Sequence, residues 1–182
     1  MSAKVHLWDP LVRLFHWSLA LAFFANYFVT EEGESWHDWL GYYAAMWLLV
    51  RCVWGFMAPG AAAWQDFWPT PARLKEHLGA LVQRRPYHRL GHSPLGALVM
   101  LCMMLAILAL AVTGFMMQEI DYFWGEDWLE ELHALIADGL AALVCIHVLA
   151  AILESIRLRD NLPLSMITGR RKPIDHPAPT GE

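Results

Sequence analysis

Four stretches of this chain, at about residues 11–29, 37–57, 94–117 and 131–157, are apolar almost without interruption and long enough to cross a bilayer. A hydrocarbon core about 30 Å thick takes roughly 20 residues of helix, and within it every backbone N–H and C=O must be satisfied inside the protein. The expected fold is therefore an all-α integral membrane protein, a four-transmembrane-helix bundle, with residues 1–182 as one domain. Mean hydropathy of +0.34 and a charged fraction of only 17% fit that reading. The first run is too long for a signal-peptide core, has no small-x-small site after it, and carries a histidine used below. It is expected to stay in the mature protein.

Charge sets the orientation. With the runs alternating across the bilayer, all thirteen Lys and Arg fall on one side. These are Lys4 and Arg13, Arg51, then Arg73, Lys75, Arg84, Arg85 and Arg89, and finally Arg157, Arg159, Arg170, Arg171 and Lys172. The two opposite loops hold ten acids, Glu31, Glu32, Glu34, Asp38, Glu119, Asp121, Glu126, Asp127, Glu130 and Glu131, and no base. The positive-inside rule places both termini in the cytoplasm and the acidic loops outside. The net charge is −5, and no nucleic-acid partner is expected.

The long connection 59–94 begins with a proline-broken, Trp-rich segment. Residues 71–84 follow, with Leu74, Leu78, Leu81 and Val82 on one face and bases opposite, the pattern of an amphipathic helix on the cytoplasmic surface. After the fourth run, NLPLSMITGRRKP reads as a polar tail leaving the membrane.

The chemistry lies in the histidines. His133 and His147 are fourteen residues apart on the fourth run. On a helix that leaves them about 40° apart around the axis and about 21 Å apart along it. Alternation then decides which histidines meet. His16, about 9 Å into the first helix, shares the inner level with His147; His37, opening the second helix, shares the outer level with His133. Ionisable side chains in a membrane span mark function by default, although a single one often serves only as a helix–helix hydrogen-bond group. Four that sort into two depth-matched pairs go beyond that. Each level offers two imidazoles and no nearby Cys or paired carboxylate, whereas structural zinc takes four protein ligands and catalytic zinc three. Two imidazoles suit the axial positions of a haem iron, whose other ligands come from the porphyrin. Bis-histidine ligation favours electron transfer over ligand binding, so the bundle is expected to hold two b-type haems.

The other candidates rank lower. Arg13, one turn from His16, and Arg51, at the inner level, are cationic partners for haem propionates, or else they snorkel to lipid phosphates. Gly41, Gly114 and Gly139 make room for a flat macrocycle or simply pack helices closely. His6, His88 and His176 read as surface residues, and His77 lies on the interfacial helix. His92, at the cytoplasmic mouth of the third helix, reads first as interfacial. Cys52, Cys102 and Cys145 are isolated, with no C-x-x-C-H site, which excludes covalent haem attachment and leaves them as packing residues.

Several segments together resemble the prokaryotic cytochrome b561 family, including the b-type subunits of nickel–iron hydrogenases and formate dehydrogenases. These are LWDPLVRLFHW, WHDWLGY, RCVWGF, LGHSPLG, ELHALIADGLAALVCIHVLAA and the closing MITG-RRK. The resemblance covers nearly the whole chain. It implies a four-helix dihaem protein of the bacterial inner membrane, passing electrons between the quinone pool and a periplasmic partner such as a c-type cytochrome. It carries the haem ligands onto His16, His37, His133 and His147, and puts a quinone near His16, His147 and His92. It also implies two alternatives, a membrane-anchor subunit of a hydrogenase or dehydrogenase, and a superoxide:quinone oxidoreductase. The absence of a fifth helix and a long tail weighs against the first. Ten outer acids weigh against the second, since superoxide is an anion. They favour instead a redox protein with a basic docking patch. A homodimer is compatible with all of this.

Overall fold

The computed structural model describes residues 5–31, 33–83, 91 and 93–171. His88, His92 and His176 lie outside the described residues, as do Lys4, Arg84, Arg85, Arg89 and Lys172. A short strand β1 (Val5–His6) leads into α1 (Pro10–Phe28), and α2 (Ser35–Met57) returns across the bundle. A 3-10 turn at Gly60–Ala62 and a single helical turn, α3 (Trp64–Phe67), precede the interfacial α4 (Pro71–Val82). Then come α5 (Pro94–Glu119), α6 (Asp127–Leu158), α7 (Leu162–Thr168) and strand β2 (Arg170–Arg171).

Four of the helix starts share one device. Asp9, Thr70, Ser93 and Asn161 each accept backbone N–H bonds from the first turn that follows, and each is followed within two residues by a proline. A side-chain oxygen satisfies orphan donors there, and proline costs nothing where its N–H would be unpaired. α6 starts earlier than the histidine-bearing apolar run does, because Asp127 and Glu130 favour the positive end of the helix dipole.

The four long helices, α1, α2, α5 and α6, are each long and apolar enough to cross a membrane. Little of them is buried within the protein, and large side chains such as Leu21, Phe24, Phe56, Leu105, Leu149 and Leu153 face outward. A soluble protein does not present an apolar surface of that extent; a bilayer covers it here.

Packing follows the chain in sequence: α1 lies along α2, α2 along α5, and α5 along α6. α6 makes no comparable backbone approach to α1 or α2. Side chains bridge that separation, among them a 2.6 Å hydrogen bond from the Tyr27 hydroxyl to Asp138.

The expected polar tail is instead a folded clasp. α7 and β2 turn back onto the N-terminal segment, with Val5 opposite Arg171 and His6 opposite Arg170. Trp8 is buried, and its indole N–H donates to Ser165 Oγ at 3.0 Å. Gly169, at φ +76°, turns its carbonyl to accept from Leu7 and Trp8 N–H at 2.9 and 3.1 Å. The positive φ favours glycine, and a Cβ there would also crowd the Trp8 carbonyl oxygen at 3.3 Å. Arg171 pairs with Asp160 at 3.1 Å. The basic composition of this tail suggested solvent. What folds it back is the Asn161 cap, the glycine and the buried Trp8–Ser165 bond. Beside it, Val12, Ala58 and Ala62 form a small core with Trp54 and Met166.

α4 docks through His77, which is 3% exposed. Burial holds its imidazole below the usual range, with nearby Glu154 pulling it up and Arg157 pushing it down. The docked form thus disfavours a proton that the undocked form accepts below about pH 6.5. Docking is fully present above that pH and weakens as the pH falls toward the depressed native value. Hydrogen exchange of residues 71–82, corrected for chemical exchange, is expected to lose protection between pH 7.5 and 5.5, by at most about tenfold per pH unit. In His77→Leu that dependence is expected to vanish.

Candidate haem sites

Each of the four membrane histidines finds the partner that alternation assigns to it. The rings of His16 on α1 and His147 on α6 have centroids 6.3 Å apart, inclined at 52°. Those of His37 on α2 and His133 on α6 are 6.1 Å apart, at 56°. Thus α6 contributes to both pairs, and α1 and α2 complete one each.

The separations suit a metal between the rings. A metal–imidazole bond like that of zinc is about 2.0–2.1 Å, and a ring nitrogen lies about 1.1 Å from its ring centre given bonds near 1.33 Å. Two such arms in line span about 6.3 Å, the spacing found at both levels. Direct imidazole–imidazole hydrogen bonds or ring stacking would bring the centroids closer. Among the described residues no three His, Cys, Asp or Glu side chains converge, so each level offers a pair of imidazoles, a set that a porphyrin would complete. The lack of close backbone approach between α6 and the α1–α2 pair provides the separation that a flat macrocycle needs.

Buried, unpartnered polar atoms point the same way. His16 Nδ1, Arg13 Nε and Arg51 Nη1 are buried without a hydrogen-bond partner among the described residues. Such atoms are costly and call for an explanation. Arg51 is 5% exposed, its guanidinium 4.5 Å over the Trp64 ring and 5.6 Å from the Phe67 ring. Snorkelling is therefore overturned for Arg51: α3 folds over it, and Trp64 is fixed by a 3.0 Å bond from its indole N–H to the Cys52 carbonyl. A buried guanidinium with donors to spare is suited to a carboxylate such as a propionate.

Some contacts around the histidines escaped the sequence reading. Thr113 Oγ1 lies 2.7 Å from His133 Nδ1, and Thr30 Oγ1 lies 3.4 Å from His37 Nδ1. Asp138 is an acid within an apolar helix, a signal by itself, and it meets Tyr27 between the two histidine levels. At the outer end Gln118 donates to Asp38 at 3.3 Å and Tyr42 to Glu119 at 3.0 Å, joining α2 to α5. Asp38 thus ties the start of α2 to the end of α5. Gly114 seats the outer ring, since a Cβ there would touch His133 Cε1 at 3.5 Å; one at Gly41 or Gly139 would meet nothing within 4 Å.

Comparison with known proteins gives a consistent picture. The model of the family described as prokaryotic cytochrome b561 matches residues 7–169. A probable Ni/Fe-hydrogenase B-type cytochrome subunit of Azotobacter vinelandii is 24% identical, over 93% of this chain and 89% of that protein. The counterpart from Azotobacter chroococcum mcd 1 is 25% identical over the same shares. No solved structure matches.

Proposed function

Because the chain belongs to the prokaryotic cytochrome b561 family, and is thus a multi-pass membrane cytochrome b of electron transfer, we propose that it is a dihaem relay across the bacterial inner membrane. In this reading both termini are cytoplasmic, and electrons pass between membrane quinone and a redox protein at the outer face. When bound, haem b supplies a one-electron iron couple whose potential the protein tunes through the axial ligands and burial.

The residues divide that work. His16 with His147, and His37 with His133, would each hold one haem iron between two imidazoles, an arrangement suited to electron transfer. α6 sets the two levels about 21 Å apart. Arg51, and Arg13 beside it in level, neutralise propionates at the inner site. Quinone exchanges electrons at that inner level, near His16 and His147, with His92 a further candidate for its pocket. The acidic outer loops dock a partner with a basic patch, such as a c-type cytochrome. The observation that carries this reading is the pair of ring separations, 6.3 and 6.1 Å.

A second reading is favoured by the two hydrogenase-subunit relatives: the same relay serving as the membrane subunit of a larger oxidoreductase. Mild detergent extraction distinguishes them, since a subunit co-purifies with a stoichiometric enzyme and a free carrier does not.

The test is a purification with visible spectra. Two non-covalent haems per chain are expected, reducible by a short-chain quinol and reoxidised by a basic c-type cytochrome. The reoxidation rate is expected to fall steeply as salt rises past about 0.1 M, where the screening length is about 10 Å. A single haem per chain would sink the relay. Rapid superoxide consumption with quinone reduction would sink the docking assignment.

A further inference from the structure

The outer histidine pair is supported from behind by a hydroxyl whose proton is already committed. Thr113 is buried on α5, 7% exposed, with Oγ1 2.7 Å from His133 Nδ1. The same oxygen lies 2.9 Å from the Ala109 carbonyl and 3.2 Å from the Leu110 carbonyl. A hydroxyl has one proton, and a helical threonine ordinarily gives it to the carbonyl four residues back. Only lone pairs then face the imidazole. With the hydroxyl proton on a carbonyl, the proton in the 2.7 Å contact comes from His133, an assignment that leaves Nδ1 protonated and Nε2 with a lone pair.

We infer that Thr113 is a positioning residue for the outer metal. It fixes the tautomer and orientation of the His133 ring, and by accepting from Nδ1–H it strengthens Nε2 as an electron donor to iron. The inference rests on the reading of His37 and His133 as axial ligands. A looser copy of the arrangement backs His37: Thr30 Oγ1 lies 3.4 Å from its Nδ1, with Thr30's proton drawn to the Asn26 carbonyl at 3.0 Å or Oδ1 at 3.1 Å. The inner pair differs, since His16 Nδ1 is buried with no hydrogen-bond partner among the described residues. The two levels are thus built with unequal ligands.

The deciding comparison is between Thr113→Val, which keeps the shape and removes the acceptor, and Thr113→Ser, which restores a hydroxyl. Both are purified with haem, and haem per chain and both midpoint potentials are measured beside the wild type. Thr113→Val is expected to hold one of its haems about 10–100-fold more weakly. The potential of that haem rises, because a weaker donor disfavours the ferric state, while the other haem is unmoved. Thr113→Ser is expected to follow the wild type. If Thr113→Val keeps both haems at unchanged potentials, or if the serine variant behaves like the valine one, Thr113 has no positioning role and the ligand assignment stands. If His133→Ala retains two haems, the ligand assignment itself falls and takes this inference with it.

Discussion

Replacing His147 with alanine is expected to leave a protein with one haem instead of two, and replacing His16 to remove that same haem. His37→Ala and His133→Ala should each remove the other one. The expectation is sharp because each level brings together one pair of rings, 6.3 or 6.1 Å apart, and in the proposed reading both are needed. Losing one ring would remove half of the protein's hold on that haem, and a side-chain bridge between helices with few close backbone approaches. The readout is haem per chain together with the reduced α-band, which should resolve into two components lost in those pairings. Double variants within a level should resemble the single ones, while His16→Ala with His37→Ala should be haem-free. Haem loss from His77→Ala with retention in the four named variants would refute the assignment.

The second large effect is expected at a glycine that bears no chemistry. A Cβ on Gly55 would fall inside the indole of Trp64, with Cε2 at 2.5 Å. Rigid overlap of this kind with a packed, half-buried ring typically costs about 1–3 kcal/mol. Moving Trp64 also breaks its bond to the Cys52 carbonyl and uncovers the Arg51 guanidinium stacked on it. Gly55→Ala should therefore lower the thermal unfolding midpoint and release the inner haem first. Gly79→Ala on α4 supplies the contrast, because a Cβ there meets nothing within 4 Å. Alanine is the better helix former by about 0.5–1 kcal/mol, so that variant should hold or gain stability. Equal behaviour of the two would mean that Trp64 does not pack as described.

Much of this was legible before any coordinates. Continuous apolar runs permit little except spanning helices, and alternation with a fixed rise per residue turns four sequence positions into two depths. The histidine pairing needed only those two facts. Thr113 was not legible in the same way, because a threonine in an apolar helix is ordinary until the rotation of α5 against α6 is known. For Arg51 the sequence left propionate pairing and snorkelling both open, for a related reason. Arginine at a helix end normally reaches for water, and its burial depends on how Trp64 and Phe67 fold back beside it. The tail misled through composition: Arg170 and Arg171 suggested solvent, whereas Asn161, Gly169 and Ser165 were the informative residues. Asp138 could have been flagged from sequence, but its partner Tyr27 lies 111 positions away and only the bundle brings them together.

That one helix serves both levels also limits how such a chain can vary. Adding or deleting a single residue between His133 and His147 would turn one ring by about 100° relative to the other. No shift of the whole helix could restore both, since α1 and α2 hold their own rings where they are. The identity of the thirteen intervening residues is free to drift within the limits of an apolar helix, but their number is not. α6 works as a gauge rod, and its calibration is a count.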